Sequence, residues 1–561
     1  MNRVQPYGPI GLWLGIGLLW WLVMAHWVRP LFVSAYHDLG PTWLNDLITL
    51  SRPLDTYLGY VDHFIIKTLV VLALATVWWM VRQHHQGSTT PWFFIRFVGT
   101  AEPEALAVTR IVAAGILLTS TLWEDLASTA LLPRELIRPP GVIGWFYAIP
   151  GLDTFVAHAP GLGLYRWLVA AVLLLALLGL WTRITVTLST VLYLLMAGLL
   201  RQYTWSYHTG LIPIYVMGVL ACTRCGDVWS LDHWWADRQG HTRPVTLAQR
   251  VGYGWGRFAV VLVIVLPYTA AGLSKLCNGS SWWWHADNLR YILYMDTLNP
   301  MEFDWGLSLR FTGAPDVWFT LLGCVAMLTE VAMVSVLFLK SAKRLMPGVT
   351  IGMHVGIWLL QNILFFDLIV LCALLYLYAL TNDNDGPWAL WERSWPLQSL
   401  APSHLLPDAQ WPAGLQALMA MLVACWALAI EYYPLTAMQM YAIPNLSGTV
   451  TWYRVVAQTA SGRAWRAYPE AVIPALKDSR YRRVIKLCFE PEQRHVCERF
   501  LHLTGHLLNA QKGRQERIDY LEIQHWTWDF RAQPWHPTHG EIEARHGVWV
   551  QSPNTSIKHV N

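Results

Sequence analysis

Two ionisable side chains stand where an apolar sequence would not ordinarily put them. Lys275 ends the segment Leu266-Pro267-Tyr268-Thr269-Ala270-Ala271-Gly272-Leu273-Ser274-Lys275, and His208 lies at the start of the apolar run from Tyr207 to Cys222. A lysine removed from water can release its proton near neutral pH, because desolvation disfavours the ammonium form, and can then act as a general base. Helical spacing puts Tyr268, Ala271, Gly272 and Lys275 on one face. The small residues there allow close approach of a neighbour or a ligand, and Pro267 can bend the helix. If the two runs cross a membrane in opposite directions, Lys275 and His208 lie at the same membrane face and can share one site. Plainer readings stand beside these. A lysine at a helix end commonly snorkels to the interface, and Tyr203, Trp205 and Tyr207 around His208 also describe an ordinary aromatic belt.

A second pair is expected deeper in the membrane. Glu330 and His354 are each about 12 residues from a turn centred near Ala342, which at 1.5 Å per residue puts both roughly 18 Å from that turn, at matching depth. A direct pairing is expected, serving either as a proton or quinone contact or as a structural hydrogen bond that locks the helical hairpin. His354, Trp358 and Gln361 share one face. Arg110 reads as structural, whereas Glu124, Asp125 and Asp367 fit a cavity rim and solvated helix ends equally well.

Cys222 and Cys225 form Cys-Thr-Arg-Cys, with no second pair nearby to complete a zinc site. Glu498, His502 and His506 share a helical face, and His536 and His539 are close in sequence. No complete ligand set or His-Glu-x-x-His motif accompanies them, so no metal is predicted.

The elements that must position these residues are membrane helices. Of the 561 residues, 55% are hydrophobic and only 14% charged, well below the roughly one quarter usual for soluble proteins. The apolar residues gather into runs of about 17 to 25, long enough to cross the hydrocarbon core. The expected fold class is an all-α polytopic membrane helix bundle of about eleven transmembrane helices with a small α+β extramembrane C-terminal domain. The first run, Ile10 to about Trp27, lacks a small-residue cleavage site and reads as a retained helix. The domains expected are a two-helix segment over 1–100, a membrane domain over 101–382, a cytoplasmic loop and last helix over 383–432, and the extramembrane domain over 433–561. In that domain Thr449 to Gln458 and Ile518 to Trp528 read as strands, Arg463 to Ala467 as a hairpin return, and Val496, Phe500, Leu503, Leu507 and Leu508 as the apolar face of a helix.

Lys and Arg are more frequent at the helix ends on the N-terminal side, here called side B, among them Arg183, Arg224, Arg250, Lys340 and Arg344. The positive-inside rule makes side B cytoplasmic, and with eleven spans the C-terminal domain falls outside, on side A. A disulfide between Cys488 and Cys497 would persist there and is predicted. The expected location is a bacterial inner (plasma) membrane, with lipid as the surrounding partner. A formal charge of +4 without a basic face excludes nucleic acid.

Four segments resemble the horizontally transferred transmembrane (HTTM) domain family, which includes the vitamin K-dependent γ-glutamyl carboxylase. They are Glu104 to Ile111; Trp205-Ser206-Tyr207-His208 with Gly226 to Asp232; Ala271 to Leu276 with Trp282 to Trp284; and Thr329-Glu330-Val331 with His354-Val355-Gly356. The likeness covers about half the chain, from about Ala101 to Thr381. It implies that Lys275 deprotonates a reduced quinone, vitamin K-like or menaquinol, and that His208 assists a carbanion step. Oxygen and carbon dioxide would be co-substrates, and a peptide or protein on the non-cytoplasmic face the acceptor. Tyr268, Gly272, Trp205, Trp282, Glu330 and His354 would line the quinone and substrate site, which must exclude water. The carboxylase has paired asparagines where this chain has Ser206 and Tyr207, and a far larger extramembrane domain. A quinol-dependent enzyme is therefore the leading expectation. Its alternative is a non-enzymatic membrane component of a peptide maturation, export or immunity system. A transporter is disfavoured by the lack of an inverted repeat.

Overall fold

The computed structural model describes residues 8–37, 54–84, 93–204, 210–241, 243–299, 303–381, 412–511 and 517–550. The membrane body is built from α1 (Gly8–Val23), α2 (Arg29–Tyr36), α3 (Leu54–His84), α4 (Pro103–Trp123), α5 (Ala159–Leu178), α6 (Thr182–Arg201), α7 (Leu211–Ala221), α8 (Leu231–Arg238), α9 (Leu247–Gly279), α10 (Ala286–Leu298), α11 (Asp316–Ala332), α12 (Lys340–Gln361), α13 (Phe366–Thr381) and α14 (Ala413–Ala427). The described apolar runs are largely helical. Among the described residues six helices are long and apolar enough to cross a membrane, spanning Leu14–Tyr36, Pro103–Leu131, Ala159–Leu178, Thr182–Arg201, Leu247–Trp282 and Asp316–Leu337. Three shorter apolar helices, Leu211–Ala221, Phe366–Leu380 and Ala413–Ala427, pack among them.

Local chemistry fixes the helix ends. The Thr246 hydroxyl and the Gln249 side chain form a reciprocal capping box that starts α9. Asp232, in the first turn of α8, accepts from the backbone nitrogens of Trp181 and Thr182 and from the Thr182 hydroxyl, capping α6 from far along the chain. Arg110 is structural, as its place in the sequence suggests. It is fully buried in α4 and donates to the carbonyls of Cys225 and Trp229, pinning the loop that carries Cys222 and Cys225. Those two cysteines are free, the first exposed and the second buried.

The connection from α11 to α12 corrects an expectation. A 3-10 segment, Met333–Leu337, follows α11, and α12 already starts at Lys340, so the turn lies at Phe338 and Leu339 and Ala342 is inside the helix. Glu330 is then about nine residues from the turn and His354 about fifteen, an axial offset of roughly 9 Å. They are not at matching depth.

The C-terminal domain is a four-stranded antiparallel sheet in the order β2 (Ala464–Ala467), β1 (Thr449–Gln458), β3 (Tyr520–Asp529), β4 (Glu541–Trp549), with α15 (Asp478–Leu487) and α16 (Arg494–Gln511). Both expected strands, the hairpin return and the helix are present; α15 and β4 are additions. Cys488 and Cys497 are joined by a disulfide. The domain sits on the membrane body. Arg480 pairs with Glu124 at 2.7 Å, Arg482 with Asp296 at 2.9 Å, and Arg531 with Asp287. Aromatic side chains of β1 and β3, Trp452, Trp526 and Trp528, share a core with Leu289, Leu293 and Tyr294 of α10. Glu124 and the sheet are therefore at the same end of the bundle.

Candidate functional site

Lys275 lies one turn before the end of α9, not at its tip, and is 4% exposed. Its Nζ donates to both carboxylate oxygens of Glu330 on α11, at 2.8 and 2.7 Å, and lies 5.3 Å from the centre of the Trp283 ring. Burial in apolar surroundings makes separated charges costly, so ammonium and carboxylate hold each other in place.

The α9 face predicted from spacing is the one that makes these contacts, but its glycine serves a neighbouring helix. A Cβ built on Gly272 would lie 2.7 Å from the backbone nitrogen of Val331 and 3.0 Å from the Cβ of Glu330. Gly272 thus lets α11 approach until Glu330 reaches Lys275. Beside Lys275, the Ser274 hydroxyl accepts from the Trp426 indole of α14 at 3.1 Å.

Two turns deeper, the Tyr268 hydroxyl is 2.7 Å from His354 Nε2 and 3.7 Å from the Cys372 thiol. The expected Glu330–His354 pair is thereby replaced by two separate pairs, Glu330 with Lys275 and His354 with Tyr268, as the unequal depths require. His208 and Trp205 lie outside the described residues. Trp283 is 3% exposed beside Lys275, whereas Trp282, expected to line the site, is 59% exposed.

Several contributors carried little or no signal in the sequence. The Trp283 indole donates to the Tyr441 carbonyl at 2.7 Å, and the Tyr441 hydroxyl donates to the buried Asp296 carboxylate at 2.9 Å. A chain of contacts therefore runs from Lys275 to Arg482 of the C-terminal domain. Lys67 on α3 is also buried, 5.5 Å from the Trp426 ring centre. It was visible in the sequence as a lysine inside an apolar run. Among the described residues, no group of three or more His, Cys, Asp or Glu is arranged to hold a metal ion.

No family model, curated protein or solved structure matches the chain.

Proposed function

We propose that the chain is an integral membrane enzyme that uses Lys275 to deprotonate a reduced quinone, vitamin K-like or menaquinol, with oxygen and carbon dioxide as co-substrates. The reaction is coupled to carboxylation or another modification of a peptide or small molecule. The observation that carries this reading is the buried Lys275–Glu330 pair. Transfer of the ammonium proton to Glu330 leaves a neutral amine, which can take the hydroxyl proton of a quinol without creating an isolated charge in the membrane. The donor set fits this chemistry, with the amine held beside the Trp283 face. The resemblance to the HTTM family points to the same lysine, and His208 would assist the acceptor's proton loss.

The reading places the protein in a bacterial plasma membrane with about eleven spans and its C-terminal domain on the non-cytoplasmic side. Docking of that domain beside Glu124 supports an even number of crossings between them. The Cys488–Cys497 disulfide suits an oxidising compartment.

The test uses the full chain in proteoliposomes supplied with reduced quinone, oxygen and labelled bicarbonate. Quinone epoxidation is expected, and Lys275→Ala should abolish it; unchanged turnover in that variant overturns the assignment. One observation favours a second reading, a non-enzymatic membrane component of peptide maturation, export or immunity. The ammonium and carboxylate already satisfy each other, as a purely structural pair would. In that case Lys275→Ala alters stability alone, while deletion of 433–561 abolishes function in cells.

A further inference from the structure

The hairpin of α12 and α13 concentrates buried polar atoms that have no hydrogen-bond partner. His354 Nδ1 and Trp358 Nε1 lie four residues apart on α12, Asn362 Nδ2 belongs to the left-handed residue that caps its C-terminal end, and Asp367 Oδ2 lies in the first turn of α13. His354, Asn362 and Asp367 are 3%, 1% and 7% exposed. Four such atoms within one hairpin is a departure from ordinary packing, where buried polar groups find a protein or water partner. From His354 to Trp358 the helix rises about 6 Å, a gap that one bridging water spans with a hydrogen bond at each end.

The two ends of this column differ. At its inner end the His354 ring is committed through Nε2 to Tyr268, so Nδ1 faces away from that contact. At its outer end Asn362 accepts from the Trp305 backbone nitrogen at 3.0 Å, and Leu360 accepts from Thr297 of α10, beside the C-terminal domain. Aromatic rings wall the column: Phe365 is 5.6 Å from His354, and Phe303 and Trp305 are 5.6 and 5.8 Å from Trp358.

We infer that the orphaned atoms hold a file of bound water that carries protons between the C-terminal-domain end of α12 and the Tyr268 hydroxyl. Trp358 and Asn362 fix water by donating to it. His354 passes a proton through its ring, accepting at one nitrogen as it releases from the other, and Asp367 supplies an acceptor within electrostatic reach of Tyr268 and Cys372. The path ends on the α9 face that carries Lys275, so it joins the membrane interior to the docked domain. It does not depend on the quinol reading.

Two measurements on the full chain in lipid, without quinol, test it. X-ray radiolysis generates hydroxyl radicals from bound water in place. His354 and Trp358 should be labelled at least about tenfold more than Met217, which is 0% exposed in the apolar core. Labelling at the Met217 level overturns the water file. The Cys372 thiol, 3.7 Å from the Tyr268 hydroxyl, reports proton arrival through exchange of its S–H stretch in heavy water, identified by its loss in Cys372→Ala. Trp358→Phe and His354→Gln should each slow this exchange about tenfold or more. Unchanged exchange in a folded Trp358→Phe variant overturns the path.

Discussion

Arg482 reaches from α15 to within 2.9 Å of the carboxylate of Asp296 on α10, a side chain with no exposure to solvent. The other carboxylate oxygen accepts from the Tyr441 hydroxyl. Removing the cation leaves a buried carboxylate facing a lone tyrosine, a loss of about 3–5 kcal/mol for comparable buried pairs. Arg482→Ala should therefore loosen the C-terminal domain, read as a lower melting temperature and faster proteolysis within it. Adding Asp296→Asn should restore part of the loss, because the uncompensated charge is then gone. Equal stability of Arg482→Ala and the parent would show that the pair does not hold the domain.

The Lys275–Glu330 pair separates stability from chemistry. Glu330→Gln leaves an ammonium buried without its counter-charge and should lower stability by about 3–5 kcal/mol, whereas Lys275→Met combined with Glu330→Leu should recover most of it. If Lys275 is a base, the double variant will be stable and inactive. Thermal unfolding in detergent together with quinol turnover distinguishes these outcomes, and turnover by the stable double variant would exclude Lys275 as the base.

Gly272 and Gly356 predict opposite responses to alanine. At Gly272 the added methyl meets the Val331 backbone at 2.7 Å, so α11 must shift away from α9; overpacking of this kind costs about 1–3 kcal/mol. At Gly356 nothing lies within 4 Å, and alanine should raise helix stability by up to about 1 kcal/mol. Comparing the two melting temperatures checks whether α9 and α11 touch as described. A Gly272→Ala variant as stable as Gly356→Ala would contradict that contact.

Glu470 gives the C-terminal domain a pH dependence. Burial pushes its carboxyl up to about 7 from an ordinary 4.5, and one of its oxygens is buried without a partner. The folded state then binds the proton more tightly than the unfolded state. The resulting stabilisation is fully present below about pH 4.5 and is lost as pH rises through about 7, by at most about 3 kcal/mol. Glu470→Gln should flatten that part of the stability profile; an unaltered profile would assign the slope to other groups.

The sequence made some elements legible and hid others for identifiable reasons. The apolar face of α16 was readable from Val496, Phe500 and Leu508, all of which are buried. Strand β4 was not, because it lies at the sheet edge and its alternating residues are mostly exposed or half-buried. Helix α10 carries Asp287, Asn288, Arg290 and Asp296, a composition suited to a loop. Its polar groups are satisfied from far along the chain, Asp287 by Arg531, Asp296 by Arg482, and Asn288 by the Asn445 backbone nitrogen. At the site, Lys275, Tyr268, Glu330 and His354 all stand out in the sequence, but their pairing depends on where one turn falls. A shift of that turn by about three residues changes the relative depth of Glu330 and His354 by roughly 9 Å.

The Cys488–Cys497 bond closes a loop with a sequence separation of 9 between α15 and α16. In the chain-entropy description, a loop of that length restricts the unfolded state by about 3 kcal/mol. Val484, Val496 and Phe500 pack around the bridge, so reduction should destabilise the same core that supports Arg480, Arg482 and Arg483 on α15. Reductant, or Cys488→Ala with Cys497→Ala, is therefore expected to weaken domain docking as well as domain stability. The double variant should show faster backbone hydrogen exchange in α15 and in the Asp296 region of α10. Peptide mapping of the native protein without reductant should recover the two cysteines in one linked fragment, and free thiols at both positions would remove the bond and its proposed compartment.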